Sequence, residues 1–141
     1  MPIRYLLLCS TLVFAIWPAA ARGWAIGDEA LPSNYVPSGE TMFRQYCAMC
    51  HGADAMGHGP LAGSLKTPPA DLTTLANRHG GKFPYDYVTH VLRFGTGPSS
   101  HGSSEMPAWG PIFRYFNKDG KKVVQKRIKN LCDYLATLQH N

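Results

Sequence analysis

Near the C-terminus, Val124, Ile128, Leu131, Leu135 and Leu138 step by four and three residues. That spacing returns each side chain to one helix face and predicts a buried stripe on a helix of roughly four turns. A second helical pattern starts after Ser38, a good N-cap. Met42, Phe43 and Tyr46 share one face, so a helix is expected from Gly39 to about Cys50. Between these two lie shorter signals. Asp71 can cap a stretch over Leu72–Ala76 that Gly80 and Gly81 stop. Pro84 suits the first turn of "PYDYVTHVLRF", which Gly95 ends. Residues 95–111 are rich in Gly, Pro and Ser and read as a long loop. "NKDGKK" reads as a turn before the last helix. No sustained alternation marks a strand, so the expected class is all-α with long loops. A loop as long as 95–111 is uncommon unless it has a task, such as wrapping a ligand.

The N-terminal apolar run belongs to a different kind of segment. "MPIR" is positively charged, Tyr5 to Trp17 is mostly apolar, and Ala19 and Ala21 satisfy the small-residue rule for cleavage. Residues 1–21 are therefore expected to be a cleaved signal peptide, with Ala25 marking a second cleavage site. The run is short of the ~20 residues that a membrane span needs. Leu8 before Cys9 argues against a lipoprotein signal. Residues 22–37, with Pro32 and Pro37, read as an N-terminal extension, and residues 38–141 as one domain.

Composition narrows the function classes. The net charge is +5, one less once Arg4 leaves with the signal peptide. That is too mild for nucleic acid, and the basic residues are not interleaved with a stacking platform of aromatics. Lys118, Lys121, Lys122, Lys126, Arg127 and Lys129 cluster near the C-terminus. They read as the solvated face of a helix, or alternatively as a docking patch for an acidic partner. Without the signal peptide three cysteines remain, Cys47, Cys50 and Cys132. An odd count in an exported chain is not a disulfide scaffold.

Two of those cysteines lie in "YCAMCHG". A zinc site needs four ligands, and no second Cys or His pair stands at suitable spacing. A thioredoxin-type CxxC sits at a helix N-terminus after a strand. This pair falls near the end of a helix, with no strand before it. The third reading is covalent haem, for which C-x-x-C-H is the attachment pattern. Positions i, i+3 and i+4 share a helix face. Cys47 and Cys50 can then form thioethers along one haem edge while His51 reaches the iron. Export agrees, because this haem is attached outside the cytoplasm.

One axial position remains, and its occupant separates an electron carrier from a reactive haem protein. Met49 lies between the cysteines, Met42 is on the same helix, and Met56 is too close to His51 to reach the other haem face. Met106 lies in the long loop, stiffened by Pro107, and is the expected ligand. His101 in the same loop is its rival. His58, His79, His90 and His140 have no special context and read as surface residues. A His51/Met106 pair favours Fe(II), raises the potential and closes the iron to substrates.

With these residues in hand, the chain resembles a class I c-type cytochrome, of the small bacterial monohaem kind, over roughly residues 38–139. "GETMFRQYCAMCHG" matches its spacing of Gly39, Phe43 and Cys47, and "LCDYLATLQ" supplies Leu131 and Tyr134. The resemblance implies the cytochrome c fold: N- and C-terminal helices crossed at Gly39, with short helices and long loops around one covalent haem c. It implies that the Pro60 carbonyl of "GHGP" accepts the His51 Nδ1–H. "GSLKTPPADLTTL" and "HGSSEMPAWGPIF" also match, with Met106 in the ligand's place. "NKDGKK" and Cys132 depart from the family, and Cys132 reads as a buried helix residue. Trp109, Tyr115 and Arg93 could reach haem propionates.

The expected function is one-electron transfer in the periplasm, not enzymatic catalysis. The partners are redox proteins, with the chain acting as a soluble shuttle or as the cytochrome subunit of a respiratory or dehydrogenase complex. The alternative is a haem sensor or catalyst with a displaceable distal ligand.

Overall fold

The computed structural model describes residues 35–96, 105–116 and 120–140. Residues 1–21, expected to be a signal peptide, and His101 and Lys118 lie outside the described residues. The described residues are helical, with no β-strand among them.

The first helical stretch starts where Ser38 caps it, its side-chain oxygen accepting the Thr41 N–H at 3.1 Å. Helix α1 (Gly39–Met42) passes through a π-helical turn (Phe43–Cys47) into α2 (Ala48–His51). In the π turn the Ala48 N–H reaches back five residues to the Phe43 carbonyl. Such turns are rare and occur frequently at functional sites; this one delivers Cys47 at the start of α2.

Helix α3 (Leu75–Arg78) is shorter and later than expected. Asp71 does not cap it. Its carboxylate instead accepts the Thr73 N–H at 2.8 Å and the Thr73 hydroxyl at 2.6 Å, closing a local turn before the helix. Helix α4 (Tyr85–Phe94) follows Pro84 and ends at Gly95, whose φ of 82° suits glycine.

Helix α5 (Trp109–Phe116) was not expected. Gly110 and Pro111 read as loop residues in the sequence. Pro111 falls in the first turn, where its missing N–H costs nothing. Gly110 lets α5 approach the end of α4, because a Cβ there would meet the Arg93 carbonyl oxygen at 2.6 Å.

Helix α6 (Lys121–Thr137) buries Val124, Ile128, Leu131, Cys132 and Leu135, the expected stripe with Leu138 left at its end. It packs on α1, α4 and α5. The crossing with α1 depends on Gly39. A Cβ there would overlap the Asn130 carbonyl oxygen and lie 2.7 Å from the Tyr134 Cβ. Phe43, Phe113, Met42, Ile128, Leu131 and Cys132 are fully buried at the junction. Each large side chain of this kind contributes roughly 1.5–3 kcal/mol.

Two features of α6 correct the sequence reading. Arg127 does not belong to an exposed basic face: it is 8% exposed. Its guanidinium lies over the Phe113 ring, donates to the Tyr35 carbonyl at 3.4 Å and reaches the Met42 sulfur at 3.9 Å. Lys121, Lys122, Lys126 and Lys129 are exposed, and Lys129 pairs with Asp133 at 2.7 Å. Residues 35–37 are also not a loose linker. Besides the Arg127 contact, Asn130 donates to the Pro37 carbonyl at 3.0 Å.

Candidate haem site

Helix α2 ends one residue after its second cysteine, and its last four carbonyls would be orphans in isolation. The following loop satisfies all four. Gly52 donates to Ala48, Leu61 to Met49, Gly59 to Cys50 and Gly57 to His51, at 2.7–3.0 Å. Gly59 is needed for this return, since a Cβ would lie 2.6 Å from the Ala48 oxygen and from the Cys50 carbonyl carbon. Glycine in "GHGP" therefore serves the close passage of the loop over the helix end.

The Pro60 carbonyl is not the partner of His51. The His51 Nδ1–H donates to the Ala70 carbonyl at 2.9 Å, within "TPPAD". Several bonds hold that second loop. Leu72 donates to the Ala55 carbonyl at 2.8 Å. Gln139, just past α6, accepts from the Ala76 N–H and donates to the Leu72 carbonyl, both at 2.8 Å, and the His140 N–H reaches Thr73. The end of the last helix thus sets the loop that orients His51. With its proton at Nδ1, the ring keeps the Nε2 lone pair for a metal. Burial lowers the His51 pKa, opposed by the Ala70 bond, and so favours the neutral form that a metal ligand requires.

Cys47, Cys50 and His51 line a cavity of about 330 Å³, at the low end of the ~300–1,000 Å³ of small-molecule and cofactor sites. Phe43, Leu72, Leu75, Val88, Leu92 and Trp109 form much of its apolar wall. Met106 and Pro107 line it too. Met42 is buried in the core, while Met49 and Met56 are exposed and contribute nothing to the wall. Met106 is thus the one methionine among the described residues at the cavity that His51 faces.

Chemistry at the cysteines argues against a dithiol redox site. Desolvation pushes the Cys47 thiol up to about 12, with Cys50 adding to the effect. A reactive CxxC needs the opposite shift. Among the described residues no group of three Cys, His, Asp or Glu stands close enough to hold a bare metal ion. Two thiols, one neutral imidazole and a broad apolar wall suit a flat apolar macrocycle carrying its own metal.

The polar rim was mostly missed by sequence reasoning. Arg78, His79, Thr67, Thr96 and Glu105 line the cavity. His79 is exposed, as a surface residue should be, but its Nδ1–H donates to the Leu75 carbonyl at 2.8 Å and its ring packs on Tyr87. Of the three residues suggested for propionates, Trp109 lines the cavity; Arg93 does not, and Tyr115 is 85% exposed. Cys132 is buried, its Sγ 3.5 Å from the Thr89 hydroxyl and away from this wall.

Comparison with known proteins adds one match. Residues 34–135 fit the family model described as cytochrome C oxidase, cbb3-type, subunit III. Nothing among the curated proteins or the solved structures matches the chain. The matched span runs from the segment held by α6 through the cavity to the last turns of α6 itself. The chain belongs to this family, and is a class I c-type cytochrome with the covalent haem and electron-transfer chemistry of that class.

Proposed function

We propose that the protein is a periplasmic one-electron carrier with a single haem c, bound through Cys47 and Cys50 and ligated by His51 and Met106. The observation that carries this reading is the shared cavity of Cys47, Cys50, His51 and Met106. The sequence contains one C-x-x-C-H, which supports one haem. The signal-peptide pattern of residues 1–21 supports export to the periplasm.

Bound haem supplies a reversible one-electron Fe(III)/Fe(II) couple. The chain's part is to hold that couple at a useful potential and keep other chemistry out. Ala70 keeps the His51 proton at Nδ1 and raises the basicity of Nε2. The Met106 thioether favours the reduced state. The apolar wall disfavours charge near the metal and sheds water. With His51 and Met106 both holding it, the haem would exchange electrons without binding substrate. Donor and acceptor are therefore redox proteins, met by a free shuttle or within a respiratory or dehydrogenase complex.

Spectroscopy of the native protein tests the reading. A pyridine haemochrome should report one thioether-linked haem per chain. The oxidised protein should show the weak near-infrared sulfur-to-iron band, and Met106→Ala should abolish it. The reduced wild type should resist carbon monoxide. Rapid binding would favour the sensor or catalyst instead.

A further inference from the structure

We propose that Glu105 is a positioning residue that holds Met106 at the cavity by clamping its segment to residues 66–67. The inference rests on the reading of Met106 as the distal ligand. Glu105 Oε1 accepts the Lys66 N–H at 2.9 Å, and Oε2 accepts the Thr67 N–H at 3.2 Å. These amides lie 39 and 38 residues upstream, so the clamp joins two distant segments. Leu65, Thr67 and Pro68 line the cavity on one segment, and Glu105, Met106 and Pro107 line it on the other. The clamp therefore joins two pieces of the same wall.

The local chemistry makes this anchor directional. A carboxylate offers two acceptor oxygens, and charge-assisted bonds are roughly twice as strong as neutral ones. Pro68 and Pro69 carry no N–H, so Lys66 and Thr67 are the last backbone donors before the proline pair. Pro107 restricts the backbone of Met106 from the other side. Met106 is thus fixed by an anchored residue before it and a stiff one after it. A neutral thioether ligand gains nothing from charge attraction to iron, so its occupancy depends on being held in place.

The test compares haem-loaded full-length wild type, Glu105→Gln, Glu105→Ala and Met106→Ala. Three measurements are made: the pyridine haemochrome, the near-infrared sulfur-to-iron band, and the rate of cyanide binding to the oxidised protein. Gln keeps one carbonyl acceptor and loses the charge, so its effect should fall between wild type and Ala. Both Glu105 variants should keep one thioether-linked haem. Cyanide should bind Glu105→Ala faster by about tenfold or more, the scale set by losing one charge-assisted bond, and the band should weaken. A cyanide rate within twofold of wild type with an intact band in both Glu105 variants overturns the clamp alone. If Glu105→Ala fails to fold, the same criterion applies to Glu105→Gln. A band that survives Met106→Ala removes Met106 from the iron and overturns both readings.

Discussion

At Gly39 a single hydrogen in place of a methyl group permits the α1–α6 crossing. Gly39→Ala would drive a Cβ into the Asn130 carbonyl and to 2.7 Å from the Tyr134 Cβ, and backbone cannot yield as a flexible side chain can. We expect a loss of at least about 2 kcal/mol, read from the denaturant midpoint of the haem-loaded protein. Asp71 offers a pH-dependent counterpart. Its carboxyl is held below the usual carboxylate range, first by the Thr73 hydroxyl and then by the Thr73 amide and the charges of Arg78 and His140, against a desolvation effect. Its folded value lies below its unfolded one. The stability it adds is therefore complete above the ordinary carboxylate value and disappears as pH falls through the folded value. Asp71→Asn should flatten the acid limb of a stability-against-pH curve and leave its neutral-to-alkaline part unchanged in slope. Equal acid slopes in the two proteins would remove Asp71 from that dependence. The Gly39 role was implied by the resemblance to class I c-type cytochromes that Gly39, Phe43 and Cys47 carry, not by the glycine itself. Asp71 reads in the sequence as a helix cap, which it is not, because Asp can close a turn as readily as cap a helix.

Among the elements, α6 carries more than its apolar stripe. Arg127 sits among Tyr35, Met42 and Phe113, joining the N-terminal segment to the core. Lys126, its neighbour, is exposed. Thermal or chemical unfolding should separate them: Arg127→Ala should cost roughly 2–3 kcal/mol, and Lys126→Ala should stay within about 0.5 kcal/mol. Equal small effects would return Arg127 to the solvated face. In the sequence, Arg127 stands beside Lys126 among five basic residues between positions 121 and 129 and reads as one of them. Position 127 lies next to the buried stripe at Val124, Ile128 and Leu131, yet its charge masked that placement. Helix α5 was hidden for the converse reason. "WGPIFRYF" spans only eight residues, and the Gly-Pro pair near its start mimics a loop. Burial of Trp109 and Phe113 against Tyr46 chooses the face.

Across the whole molecule, the cavity makes folding and haem attachment one problem. Without haem, the apolar wall of this 330 Å³ cleft would face water, and covering it with the cofactor stabilises the packed helices. The Cys47→Ala/Cys50→Ala double variant, isolated without haem, should lose most of its far-ultraviolet helical signal and its cooperative melting. A cooperative transition at the wild-type temperature would show that the helices pack without the cofactor. The attachment motif was legible because Cys47, Cys50 and His51 lie within one helical turn, where covalent geometry sets their relation. The apolar face of α6 was legible for the same local reason. Ala70 as the His51 partner, Gln139 bracing that loop, and Met106 sharing the cavity are contacts between segments far apart in sequence. Local periodicity carries no information about which distant carbonyl or carboxylate closes such a contact. Packing of α6 on α1 and the return of the loops over α2 decide it.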